Sequence, residues 1–151
     1  MNKNIVLNNK FFIVIALLEK TGNQIFSKFG LTVKTYAILV AINGGCTKST
    51  ELAKNIQGSK ASVTQKTKWL EEEGLIYRKL DKKDKRIWYF YLTDKGKETI
   101  KMVVPDYEKA MNNLFEPFSK KEIGQMIKMF EIMEGRLHHA IKHNIFSKNK
   151  R

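Results

Sequence analysis

The chain has 151 residues, the length of one domain, and its 42% hydrophobic content is enough to bury a core. Lys and Arg outnumber Asp and Glu by 28 to 15, a formal net charge of +13, which attracts nucleic acid and anionic membrane alike without choosing between them. A single cysteine excludes an internal disulfide framework and fits a reducing, cytoplasmic setting. There is no Gly-rich phosphate loop, nucleophile elbow or metal-hydrolase motif, so neither an enzyme nor a cofactor is expected.

At the N-terminus, Lys3 and Lys10 precede the apolar run Phe11 to Leu18. A basic stretch before an apolar run can mark an export signal, but Glu19 and Lys20 end this run, no A-x-A-like site follows, and eight residues cannot span a bilayer. The expectation is therefore a helix apolar on all sides because neighbours sandwich it, with no membrane partner. Cys46 follows Gly44 and Gly45 in an expected loop; Lys48 lies close enough in sequence to suggest thiolate stabilisation, but an incidental thiol is the simpler reading.

Residues 49 to 74 predict two short helices joined by a tight turn. Leu52, Ala53 and Ile56 give the first an apolar face, Gly58 supplies a positive-φ residue to end it, and Ser59 offers an N-cap for the second. Val63, Thr67 and Leu70 face inward on the second helix, leaving Ser59, Lys60, Ala61, Ser62, Gln65 and Lys68 on or beside the other face, with Thr64 and Lys66 in the same candidate contact set. Small residues permit close approach to a groove, and Ser, Gln and Lys can contact base edges or phosphates.

The next segment predicts a β-hairpin, with strand-like Leu75 to Leu80 and the β-branched and aromatic run Ile87 to Thr93 flanking six charged residues, Asp81 to Arg86. Alone, such a tip reads as a solvated turn. Directly after a helix-turn-helix it reads as a wing, which projects Lys82, Lys83, Lys85 and Arg86 toward a polyanion while Asp84 orients Arg86.

Beyond the wing, Thr93 or Asp94 caps a helix through Ile100 to Val104, kinked or interrupted at Pro105 before Tyr107, Met111 and Leu114. Phe115 to Phe118 reads as a break, and Ser119 with Glu122 forms a capping box for a last helix through Leu137. These terminal helices carry more apolar surface than one compact domain can cover, which predicts self-association. His138, His139 and His143 cluster near the end. The i, i+4 pair His139 and His143 could approach a metal, but with no clear companion ligand a surface or interface role is the main expectation.

Taken in order, Leu31 to Leu39, Glu51 to Ala53, Ser59 to Ile76 and the wing spacing Arg78, Asp81, Asp84, Arg86, Leu92, Thr93, Gly96 resemble the multiple-antibiotic-resistance regulator (MarR) family of bacterial transcription factors. Thr35 stands where that family commonly has Gln, and Gly58 is displaced by one residue from the usual turn glycine. The resemblance implies a single mainly α domain over 1-151 with a small β-hairpin wing. In it a winged helix-turn-helix lobe (31-97) is flanked by helical dimerisation regions (1-30 and 98-151). It also implies a homodimer on double-stranded DNA and, as in some relatives, a small aromatic effector in a cleft for which Phe12, Ile15, Tyr36 and Met102 are candidates; ordinary packing competes as an explanation for those four. The functional expectation is a sequence-specific transcriptional regulator, a ligand-responsive repressor acting on an inverted repeat. The alternative is a basic winged-helix module that binds structured RNA or a protein partner.

Overall fold

The computed structural model describes residues 2–56, 58–84 and 86–145, which form two compact units, 1–108 and 109–151. The first unit opens with α1 (Lys3–Ser27), started by the Asn2 side chain, which accepts the Asn4 N–H. Near its end α1 passes α2 (Val33–Asn43) so closely that a Cβ on Gly22 would sit 2.6 Å from Val33 Cγ2. Thr32 and Thr35 form a reciprocal capping box at the start of α2: Thr35 Oγ1 accepts the Thr32 N–H at 2.8 Å and Thr32 Oγ1 accepts the Thr35 N–H at 3.2 Å. The residue that departs from the family pattern thus has a local role, and its buried hydroxyl is satisfied.

Helix α2 is the centre of this unit, with Ile38, Leu39, Ala41 and Ile42 buried. Around it pack α3 (Ser49–Asn55), α4 (Lys60–Glu72) and the antiparallel strands β1 (Ile76–Leu80) and β2 (Trp88–Leu92), paired from Ile76 opposite Leu92 to Leu80 opposite Trp88. The outer edge of β2 is covered as well: the Phe90 N–H donates to Thr47 O at 2.8 Å and Lys48 bridges to Tyr89. One contiguous core joins Leu31, Ile38, Leu39, Leu52, Val63, Leu70, Ile76, Phe90 and Val103.

Two expectations are corrected. Gly58 does not have positive φ; the glycines that do are Gly30, Gly45 and Gly74. Gly58 instead donates its N–H to Ala53 O at 2.9 Å, closing the end of α3 from a position outside the helix. Pro105 does not interrupt its helix either: α5 runs unbroken over Asp94–Phe115. The missing Pro105 N–H deprives the helix of one hydrogen bond, and the rest of the element carries through it. Of the two expected caps for α5, Thr93 acts, its Oγ1 accepting the Gly96 N–H at 3.0 Å.

The second unit holds the end of α5, a turn in which the Phe118 N–H donates to Phe115 O, and α6 (Lys120–Lys142). The Ser119 and Glu122 capping box forms as expected. Among the described residues no helix is long and apolar enough to cross a membrane.

Candidate nucleic-acid interface

Helix α4 begins where it does because Ser59 Oγ accepts the Ser62 N–H at 3.1 Å. Val63, Thr67 and Leu70 turn inward and are buried, and the one hydroxyl among them is satisfied, since Thr67 Oγ1 donates to Val63 O at 3.0 Å. On the opposite side Ser59, Lys60, Ala61, Thr64, Gln65 and Lys68 are exposed, as the 3.6-residue period requires. Ser62 and Lys66 are half-buried and tied together, Lys66 Nζ donating to Ser62 Oγ at 2.7 Å. Lys68 Nζ lies 3.7 Å from Glu72 with both side chains exposed, a pairing weak enough for a phosphate to displace.

The C-terminal end of α4 is tied to the hairpin through Arg78. Its Nε is 3.3 Å from Glu71 of α4, and its guanidinium carbon lies 4.5 Å from the Trp88 ring centroid on the neighbouring strand. On the hairpin's other face Tyr77 and Tyr91, directly opposed in the ladder, stack with centroids 5.4 Å apart, and Lys79 Nζ sits 5.4 Å from each ring. These pairs stiffen the stem on both faces. Sequence reading missed their positioning role, although the period-2 alternation of Tyr77 with Lys79 and of Tyr89 with Tyr91 carried the signal.

At the tip, two aspartates each organise a turn. Asp81 Oδ1 accepts the N–H groups of Lys83 and Asp84, both at 2.7 Å, while the Ile87 N–H returns to Asp84 O. Asp84 then accepts the Arg86 N–H at 3.0 Å, Nε at 3.1 Å and Nη2 at 3.4 Å. The Asp81 carboxyl is held below the usual carboxylate range chiefly by those two backbone donors, and that of Asp84 by the Arg86 side chain and then its N–H. Arg86 is oriented by this grip and still 90% exposed. Lys82 and Lys83 are exposed beside it; Lys85 lies outside the described residues.

The other candidate residues fall elsewhere. Tyr36 stacks on Phe26 at 4.5 Å with Tyr107 at 6.2 Å, and burial, followed by Tyr107 and Glu108, pushes its hydroxyl up. Its ring is therefore engaged in packing, whereas Phe12, Ile15 and Met102 are each more than half exposed. Cys46 is half-buried, and its thiol is pushed up by burial and then by Glu51, the opposite of thiolate activation. His138 lies 3.5 Å from Glu134, while the His139 and His143 rings approach to 4.4 Å.

Helix, turn, helix and a rigid basic hairpin on one core define a winged helix-turn-helix protein. Solved structures share this fold. AbsC, a MarR family transcriptional regulator from Streptomyces coelicolor, superposes with a TM-score of 0.82 at 22% identity, covering 92% of this chain and 97% of AbsC. MepR of S. aureus, solved as a DNA complex, gives 0.79 at 20% identity over 85% of this chain and 96% of its own. At such identities the likeness is one of fold. In sequence the chain is 24% identical over 107 residues to the uncharacterized HTH-type transcriptional regulator YwaE of Bacillus subtilis (strain 168), a match covering 70% of this chain and 63% of YwaE, less than two thirds of that relative's length. The family model for the transcriptional regulators SarA/Rot matches residues 20–103. The chain belongs to this SarA/Rot family of winged-helix transcriptional regulators, and the expected likeness to MarR proteins is borne out in its fold.

Proposed function

We propose that the protein is a homodimeric regulator that binds double-stranded DNA sequence-specifically and represses transcription from an inverted-repeat operator. In this reading Lys60, Lys66 and Lys68 contact phosphates, the N-terminal half of α4 reads the major groove through Ser62 and Gln65, and Arg86 enters the adjacent minor groove. The observation that carries it is the tip of the wing. An exposed arginine would ordinarily wave in solvent; here three donors of Arg86 converge on one carboxylate and hold its fork outward. A narrow minor groove has the negative potential that rewards such a preset guanidinium. That the similar fold of MepR was solved on DNA supports the same use of the fold here.

We further propose that a small aromatic effector releases the protein from DNA, with Phe12, Ile15, Tyr36 and Met102 as lining candidates. Selection of bound fragments from random duplex DNA tests the central reading: recovery of an inverted repeat supports it, and recovery of no consensus, with tighter binding to folded RNA, refutes it.

A further inference from the structure

The C-terminal turn of α6 brings together two side chains that the DNA-binding reading does not use. His139 and His143 are four residues apart on one helix face, both exposed, with ring centroids 4.4 Å apart and planes inclined at 42°. The backbone beneath them is closed by hydrogen bonds. His143 caps α6, its N–H donating to His139 O, and the Ile145 N–H folds back to Ala140 O across Asn144, whose φ of 51° reverses the chain. Ala140, within this turn, is the one buried residue described in α6.

We propose that His139 and His143 form a bidentate site for a divalent transition-metal ion that prefers imidazole nitrogen, of the Ni(II), Cu(II) or Zn(II) type. Two imidazoles bound to one ion at roughly 2.0–2.1 Å each place their donor nitrogens about 3 Å apart, a separation that rings already 4.4 Å between centroids reach by small side-chain rotations. The i, i+4 spacing on a helix is the one that lets two histidines share a metal. Preorganisation by the closed helix end removes part of the ordering cost. His138 takes no part, since it points to Glu134 one turn earlier. The donor atoms select the class of ion: Lys142 in the same turn repels every divalent cation alike, so binding depends on the metal–nitrogen bond. Mg and Ca, which seek oxygen ligands, are therefore excluded, and water completes the coordination shell.

Calorimetric titration of the untagged full-length chain with Ni(II) tests this site. One ion per chain is expected in the wild type, in His138→Ala and in Cys46→Ser, with binding lost in both His139→Ala and His143→Ala while circular dichroism shows the helix content unchanged. In the wild type itself, paramagnetic Ni(II) should broaden the ring resonances of His139 and His143 before those of His138, a reading that needs no variant. Absence of wild-type binding, its survival in either His139→Ala or His143→Ala, its loss in His138→Ala, or uniform broadening of all three rings would overturn the proposal.

Discussion

Gly96 leaves no room for a side chain. It lies buried in the first turn of α5, and a Cβ there would fall on the carbonyl oxygen of Leu75. That carbonyl cannot retreat cheaply, because it accepts the Thr93 N–H at 3.1 Å while the neighbouring Gly74 O accepts Thr93 Oγ1 at 2.7 Å. Gly96→Ala should therefore destabilise the protein by about 3 kcal/mol, the upper end for overpacking, read as a lower midpoint in urea. In the proposed reading the residues of α4 divide by role. Lys68→Ala should weaken specific and non-specific DNA alike and reduce the salt slope of log K by about one unit, since Lys68 pairs with the exposed Glu72 at 3.7 Å, a contact that a phosphate can displace. Gln65→Ala should instead relax base preference by about 1–3 kcal/mol with the salt slope unchanged. Ser62→Ala is a less clean probe because it also frees Lys66, bound to Ser62 Oγ. Competition titrations at several salt concentrations separate these outcomes; a changed consensus in Lys68→Ala would reverse the assignment.

At the scale of the element, the wing is a rigid stem with an acid-organised tip. Arg86→Ala should remove most operator affinity and leave thermal stability within error, because a side chain this exposed contributes little to the fold. Arg86→Lys should restore only part, lacking the planar fork that Asp84 grips, and Asp84→Ala should act in the same direction less strongly; wild-type affinity in Arg86→Ala would reduce the hairpin to a solvated turn. The same aspartates set a pH dependence. Both carboxyls are held below their ordinary values in the folded chain, so the order they impose is fully present above the ordinary aspartate range, about pH 4, and is lost as pH falls through the lower folded values. The amide resonances of Lys83, Asp84 and Arg86 should move toward random-coil positions in that acidic window while those of the β1 and β2 ladder hold.

For the whole molecule, the distribution of apolar surface is decisive. Helix α1 exposes Phe12, Ile13, Val14, Ile15 and Leu17, and α6 exposes Ile127, Met129, Ile132 and Leu137, each by about half or more. Exposed apolar surface on such a scale is unusual on monomers, and in the proposed reading a second copy of the chain covers it. Sedimentation should show a dimer at micromolar concentration, and Ile15→Asp should shift it to monomer and abolish operator binding; a monomeric wild type would end the dimer reading. Such a dimer should protect half-sites about 10 base pairs apart, one turn of DNA.

Local rules made much of this protein legible from its sequence. The Ser59 N-cap, the Ser119 and Glu122 capping box, the inward triad Val63, Thr67 and Leu70, and the two strands of the wing depend on neighbours within a few residues, and each appears where periodicity or capping chemistry puts it. Nested hydrogen bonds around Asp84 and Arg86 were legible for the same reason, the partners being two residues apart. Gly58 was misread, and of the two readings of Pro105 the interruption does not occur, because a glycine permits positive φ without requiring it and a proline forfeits one hydrogen bond without ending a helix that other contacts sustain. What only the tertiary structure decided were the contacts between residues in different elements. Glu71 finds Arg78 and Arg78 finds Trp88, Tyr36 spends its ring on Phe26 and Tyr107, and Leu75 leaves no room at Gly96. No periodicity encodes which distant side chain fills a given space, because that is settled only when the helices and the hairpin close on one core.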